Sequence, residues 1–123
     1  MTPILIKSFR AAAAIAGHVI VAAQSVREST TANGAGAKSL GVSDSMGAPA
    51  GGMCDVVQLG WGEVRVGANV AFGDPLTADA NGHAVPAVPT AGTDVRIVGY
   101  AMADGGPDDI IPLNVVPGII PAI

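Results

Sequence analysis

The sequence predicts an all-β protein, a small compact barrel or sandwich of short strands. Seventeen Gly and nine Pro are spread over 123 residues, which disfavours long helices. Short apolar runs recur from end to end, as in barrels and sandwiches. The dipeptides between them are of the kind that closes hairpins: Asn33-Gly34, Gly51-Gly52, Asn81-Gly82 and Gly105-Gly106.

Nine strands are predicted from the apolar runs. One segment, residues 11–16, also has the alanine content of a helical turn. The polar residues 24–31 are interpreted as an exposed loop. The predicted strands are residues 4–9, 15–23, 38–42, 54–59, 62–66, 70–77, 83–85, 95–103 and 110–116.

The chain length predicts a single β domain spanning residues 1–123, with a core that needs neither disulfides nor metal. Residues 1–9 are expected to form an extended N-terminal arm, residues 10–116 the β core, and residues 117–123 a C-terminal tail. Both ends are apolar, and such termini normally fray in solvent. We therefore expect a neighbouring subunit to hold them.

Two parts of the chain share a spacing of Gly, Pro and Val. Residues 41–60 align with residues 99–118 without gaps, and residues 17–19 are paired with residues 67–70. The pattern predicts a duplicated β unit within one barrel. In the ungapped alignment Gly41, Gly47, Pro49, Val57 and Gly60 fall on Gly99, Gly105, Pro107, Val115 and Gly118.

The composition favours a protein whose surface is covered by partners. Half of the residues are apolar, 13% are charged, and the mean hydropathy is +0.50, whereas ordinary soluble domains are about 25% charged. Burial of this surface against other subunits accounts for the imbalance. The net charge is −4 without a Lys/Arg cluster, which argues against a nucleic-acid partner.

The apolar run at residues 11–23 follows Lys7 and Arg10, and so resembles a secretory signal with residues 21–23 as a cleavage site. His18 interrupts the run, which is also too short for a transmembrane helix. We expect the segment to belong to the folded protein, and we expect no membrane partner.

No pattern of catalytic, cofactor-binding or metal-binding residues is found, and the protein is not expected to be an enzyme. Cys54 is interpreted as a small buried apolar residue rather than a reactive thiol. His18 and His83 lack a second histidine at metal-ligand spacing. Carboxylates around Gly105-Gly106-Pro107 have the chemistry of a tight turn rather than of a calcium loop: Asp104, Asp108 and Asp109.

Trp61 is the one tryptophan, and glycine stands on both sides of it. Its ring is therefore uncrowded, so it can anchor either the core or an interface, and both interpretations stay open.

The most informative segment is residues 64–87, with Gly73-Asp74-Pro75-Leu76 followed by Asp79 and Asn81-Gly82. It resembles a hairpin of a family of bacteriophage capsid cement, or decoration, proteins long known only as a domain of unknown function. The resemblance spans residues 9–116, and residues 27–37 and the tail depart from it. Independently of the family, Gly73, Asp74 and Pro75 predict a bend, and Asn81 and Gly82 predict a tight turn.

The resemblance implies a β-tulip-like fold and a structural virion protein on the outer surface of the capsid, present in the host cytoplasm during assembly. Copies would bridge neighbouring major capsid subunits as homotrimers, or alternatively as dimers, with no cofactor. The residues expected to carry the capsid or oligomer interface are Ile4, Leu5, Ile6, Phe9, Trp61, Ile119, Ile120 and Ile123.

Other function classes remain open at this point. A secreted or envelope β-barrel that binds a small ligand or glycan fits the signal-like start but not the scarcity of aromatic residues. A small enzyme would need polar groups that converge from distant parts of the chain. A tail or baseplate component of the same kind of virus would have similar sequence features.

Overall fold

The computed structural model describes residues 3–24, 28–88, 91–92 and 94–120, and within them it contains nine strands and no helix. The all-β prediction is confirmed. No helix in these ranges is long and apolar enough to cross a membrane. The strands are β1 (Pro3–Ala11), β2 (Ile20–Ala23), β3 (Glu28–Thr31), β4 (Ser39–Ser43), β5 (Met53–Arg65), β6 (Pro75–Ala78), β7 (Ala84–Pro86), β8 (Val95–Ala101) and β9 (Ile110–Ile120).

The first five strands form a closed barrel in the order β1-β3-β2-β4-β5, with β5 paired back to β1. β1 closes the barrel by pairing with β5 on one edge over residues 3–10 and with β3 on the other edge at Arg10 and Ala11. The barrel interior is filled by small and branched apolar side chains, as the composition requires: Ala11, Ile15, Val19, Val21, Ala48, Cys54 and Val56, with Phe9 and Leu40 packed against them.

The remaining strands form a second ring that shares β5 with the first. Its order is β5-β9-β8-β6-β7, and it is closed by an isolated parallel bridge from Val66, just after β5, to Ala84 in β7. Its interior includes Val64, Leu76 and Leu113, which are fully buried. β5 is 13 residues long, and its beginning pairs with β1 whereas its end pairs with β9.

The two rings are copies of one unit, so the predicted duplication is confirmed. Parallel pairing of Ala11 with Ser29 recurs between Val66 and Ala84, 55 positions later in both strands. The antiparallel bridge from Ile15 to Ala48 recurs between Val70 and Gly105. The ungapped alignment is therefore right at Gly41 and Gly99 but one position off from Gly47 onward, where Val57 falls on Asn114 rather than on Val115. The strand pairs between β2 and β3 recur between β6 and β7 at the same offset of 55 positions, which aligns residues 17–19 with residues 72–74. The predicted alignment of residues 17–19 with residues 67–70 is therefore wrong.

Several predicted strand bounds are wrong because turns cut them short. The strand expected at residues 15–23 begins only at Ile20, because the backbone turns at His18 with φ +58°. The strand expected at residues 70–77 begins only at Pro75, after a turn at Gly73 with φ +88°. Residues 28–31, expected in a loop, form β3. Residues 53–65 form one continuous strand through Trp61 rather than two.

The predicted turns are present. Asp74 accepts a hydrogen bond on Oδ2 from the Ala71 N–H at 3.0 Å, next to Gly73. Gly82 has φ +78°. Asp79 Oδ1 accepts hydrogen bonds from the N–H groups of Asn81 at 2.8 Å and His83 at 3.0 Å. These side chains fix the backbone in the way expected of structural turn residues.

Residues 3–9 of the predicted arm and 117–120 of the predicted tail are strands of the protein's own sheet, and residues 1–2 and 121–123 lie outside the described residues. Residues 3–10 pair with β5 from Gly60 back to Met53, so one edge of this backbone is hydrogen-bonded within the chain. On the other edge β1 pairs with β3 at Arg10 and Ala11, and addition of residues 3–9 to a neighbour's sheet stays a prediction. The tail continues β9, where Ile119 pairs with Arg96 and Ile120 with Val95. Closing the barrel satisfies the polar backbone of an apolar segment that would otherwise face solvent.

Candidate interaction surface

Four residues on adjacent strands form a row across the outside of the second ring. Trp61 of β5 pairs with Asn114 of β9, Asn114 pairs with Tyr100 of β8, and Tyr100 pairs with Pro75 of β6. Directly paired residues point to the same face of a sheet. These four residues are called the Trp61 row below.

The row faces away from the core. On β5, Gly60 and Gly62 are buried while Trp61 between them is partly exposed. On β9, Asn114 is exposed between buried Leu113 and Val115. Alternation along a strand places neighbours on opposite faces. The exposed fraction of Tyr100 is 42%, so an aromatic side chain that usually seeks a partner lies open to solvent.

Further apolar side chains extend the row into a patch. Leu59 alternates with Trp61 on β5 and is 37% exposed, and its partner Leu5 on β1 is 47% exposed. Val116 alternates with Asn114 and is 39% exposed. The charged side chains on the same stretch of β5 are Glu63 and Arg65. A contiguous apolar patch on a sheet is typical of a surface that binds another protein.

The structure places the eight predicted interface residues in different surroundings. Leu5 and Trp61 lie on this patch. Ile6 and Ile119 are about half exposed, at 53% and 52%, outside the Trp61 row. Phe9 packs against the cluster inside the first barrel, and Ile120 packs on a cluster with Val95 and Ile97. The side chains of Ile4 and Ile123 lie outside the described residues.

The C-terminal strand borders one open cavity of about 240 Å³. It is lined by Ser39, Arg96, Ile97, Pro117, Gly118 and Ile119. Arg96 is the one titratable side chain in this lining, so the cavity lacks the paired acid and base that catalysis requires.

The residues considered for chemistry have structural roles. Cys54 is buried in the first barrel, and its pKa is raised to about 11, first by desolvation and then by the charges of Asp44 and Asp55. Asp104 Oδ1 accepts a hydrogen bond from the Phe72 N–H at 2.8 Å. Asp109 Oδ2 accepts one from the Gly106 N–H at 2.9 Å, which is the predicted turn chemistry.

The two histidines, His18 and His83, also do not come together in one site. The backbone carbonyl of His18 accepts a hydrogen bond from the Arg65 N–H, while its Nδ1 is buried without a hydrogen-bond partner. The backbone N–H of His83 is bound by Asp79. Within the described ranges, no three His, Cys, Asp or Glu side chains are grouped so that they could hold a metal ion.

A solved structure with this double-barrel arrangement comes from a phage head. The chain is similar to the base of a head fibre. This structure, of the head fiber gp8.5 N base in bacteriophage phi29, has a TM-score of 0.64 and 19% sequence identity, and the match covers 91% of this chain and 93% of the other. At this identity the likeness establishes the fold alone. No protein-family profile and no curated protein matches the sequence, so the resemblance to the cement family stays a prediction.

Sequence reasoning found Trp61 but missed the residues that flank it in space. Asn114, Tyr100 and Pro75 are not among the predicted interface residues, and each lies on a different strand from Trp61. The register of the repeat was the signal that could have found them, because it aligns each of these residues with an apolar position of the first repeat.

Proposed function

We propose that this protein is a structural component of a phage virion that decorates the outer surface of the capsid and bridges neighbouring major capsid subunits. The observation that carries the proposal is the shared fold with the phi29 head-fibre base over nearly the whole of both chains. The motif resemblance to capsid cement proteins, which rests on different evidence, favours the outer surface of the capsid.

The surface of the protein supports a binding role. The patch around the Trp61 row is apolar and open, and the chain as a whole carries few charges. Trp and Tyr are the residue types most enriched among those that dominate binding energy at interfaces. The cavity at the end of β9 and the buried Cys54 offer no catalytic constellation that would favour an enzyme.

Stabilisation would follow from mass action. A protein that binds the assembled lattice more tightly than loose subunits lowers the free energy of the assembly by an amount set by its concentration and dissociation constant. Bridging two subunits adds the effective-concentration gain of a bivalent contact. Copies would act as homotrimers, with dimers as the alternative, and no cofactor is needed.

The test uses capsids purified without the protein. The protein is added, unbound material is removed by sedimentation, and the particles are imaged by electron cryomicroscopy. Density on the outer shell between major capsid subunits is expected, together with rupture of decorated particles at a higher temperature. Sedimentation of the particles without bound protein would overturn the proposal.

A matched pair of variants links binding to the apolar patch. Leu59→Ser removes an apolar side chain of the patch, and Met46→Ser removes one that is 86% exposed in the turn after β4. Leu59→Ser is expected to reduce capsid occupancy at least fivefold and Met46→Ser to leave it unchanged. Equal occupancy of both variants would exclude the patch from the capsid contact.

The ligand-binding barrel is the less well supported function. The first barrel is filled by its own apolar side chains, which pack against one another in the space that a ligand would need: Ile15, Val21, Cys54 and Val56. Binding sites for small molecules are usually concave and preformed.

A further inference from the structure

We propose that the Trp61 row binds a second copy of this chain, head to tail, at the end of the first barrel marked by Lys7. This inference deepens the proposed function, since it names the contact between copies, but it rests on the internal repeat of the chain. Its test is made on the isolated protein and can fail while capsid binding succeeds.

The first repeat contains a row equivalent to the Trp61 row. Ile6 of β1 pairs with Val57 of β5, Val57 pairs with Val42 of β4, and Val42 pairs with Ile20 of β2. Ile6, Val57, Val42 and Ile20 occupy the positions in the first repeat that Trp61, Asn114, Tyr100 and Pro75, in this order, occupy in the second. This set is called the Val42 row.

Three residues of the Val42 row form the surface by which the first repeat docks on the second, whereas Ile6 at the end of the row is 53% exposed. Ile20 and Val42 have no exposed area, and Val57 is 7% exposed. All three belong to one buried cluster with side chains of the second ring such as Leu113. The positions of Val42 and Val57 are therefore buried by a neighbouring unit in the first repeat, whereas Tyr100 and Asn114 leave the same positions exposed in the second.

The contact within the chain shows what a docked row touches. A Cβ placed on Gly62 would lie 2.9 Å from Val42 Cγ2 and 3.2 Å from Val115 Cγ2. Val42 therefore sits against the wall of the second ring at Gly62, whose missing side chain makes room for it. Gly62 pairs with Leu113.

The corresponding place on the first barrel is Lys7. Gly62 pairs with Leu113 in the second repeat as Lys7 pairs with Val56 in the first. Lys7 is exposed, and the half-buried Phe9 lies beside it with its ring centroid 5.8 Å from the ammonium nitrogen. Each copy thus has one open row and one recipient site, and at this site the exposed Lys7 side chain stands where Gly62 has none. A docked row would contact this side chain rather than fill a gap.

The side chains at these two open sites are complementary. Tyr100 has the position of Val42, so a second copy docked as the repeats dock would bring the Tyr100 ring to Lys7. A Lys ammonium over an aromatic face is an attractive contact, and the apolar stem of Lys7 covers the rest of the ring. Because the row and the recipient are different surfaces, the contact is heterologous and generates rings or open chains.

The experiment measures the mass of the purified protein by sedimentation equilibrium over a range of concentrations. Tyr100→Lys places two ammonium groups against each other and is expected to raise the dissociation constant at least tenfold. Phe72→Lys is the matched control, because Phe72 is 65% exposed and lies outside the row, and it should associate as the native chain does. Circular dichroism checks that each variant is folded.

A charge reversal identifies the recipient. Lys7→Glu combined with Tyr100→Lys is expected to restore association to within about threefold of the native chain, because opposite charges then meet. Native protein that stays monomeric at all concentrations, or a double variant as weak as Tyr100→Lys, would overturn the inference. Capsid decoration by a monomeric chain would retain the proposed function and reject this contact.

Discussion

The backbone carbonyl of Val57 occupies the position that a Cβ on Gly41 would take. The carbonyl of Asn114 has the same relation to Gly99 in the second repeat. In each case a short strand approaches the next strand too closely for any side chain. The predicted alignment of Gly41 with Gly99 therefore reflects a steric requirement that the two repeats share.

Replacing either glycine with alanine should destabilise the protein. Gly41→Ala and Gly99→Ala are each expected to lower the free energy of unfolding by about 1–3 kcal/mol or more, the usual cost of overpacking. Urea denaturation followed by circular dichroism measures the change. Gly118→Ala is the control, because no atom lies within 4 Å of its added Cβ. Equal stability of Gly41→Ala and Gly118→Ala would contradict the steric argument.

Asp108 holds a backbone conformation that glycine adopts more readily. Its φ is +71°, and the equivalent residue of the first repeat is Gly51 with φ +81°. Asp108→Gly is expected to be neutral or to raise the unfolding free energy by up to about 1 kcal/mol, whereas Asp108→Ala should lower it by about 1 kcal/mol. The difference in thermal midpoint between the two variants is the measurement, and the opposite order would refute the prediction.

Cys54 predicts a loss of stability at high pH. Burial raises the pKa of this thiol from 9.0 to about 11 in the folded protein. The folded state therefore favours the protonated form, and its advantage is complete below pH 9 and declines as the pH rises from about 9 to 11. Cys54→Ala should show a smaller decline over this interval when urea midpoints are compared at each pH.

The same burial predicts slow chemistry at Cys54. Labelling by a thiol reagent at pH 8 should be at least a hundredfold slower in the native protein than in urea. Rapid labelling of folded protein would show that the first barrel opens readily.

Removal of β1 should open the first barrel. A chain without residues 1–9 loses the part of β1 that pairs with β5 from Cys54 to Gly60, and it is expected to lose cooperative thermal unfolding. Ile6→Ser is the control, since this side chain is 53% exposed, and it should change stability by less than about 0.5 kcal/mol. A deletion variant as stable as the control would show that β1 is dispensable for closure.

Much of this fold could be predicted from the sequence because its turns carry distinctive residues. Gly82 and Gly73 mark turns where the backbone has positive φ, and the apolar runs between such positions became strands. The spacing from Gly41 to Gly99 also revealed the duplication. These signals are local or periodic, so a single sequence contains them.

The remaining features depend on tertiary pairing. β3 is polar in sequence and becomes a strand because β1 and β2 supply its hydrogen-bond partners. His18 has a positive φ, which is common for glycine and uncommon for other residues, so no glycine stands at this position to mark the turn. The interface prediction identified Trp61. Tyr100 lies on a strand far along the chain, and the sheet register, through Asn114, places the two aromatic side chains on one face.

β5 belongs to both rings, and this has a mechanical consequence. A peptide-bond cleavage near Gly60 would take a wall from each barrel at once, because Pro3 and Val115 both pair with that residue. Neither barrel can therefore be expressed or removed as a complete unit, because each of them includes part of β5. Tension applied to one barrel is transmitted through a continuous strand to the other, so the pair should yield as a single body.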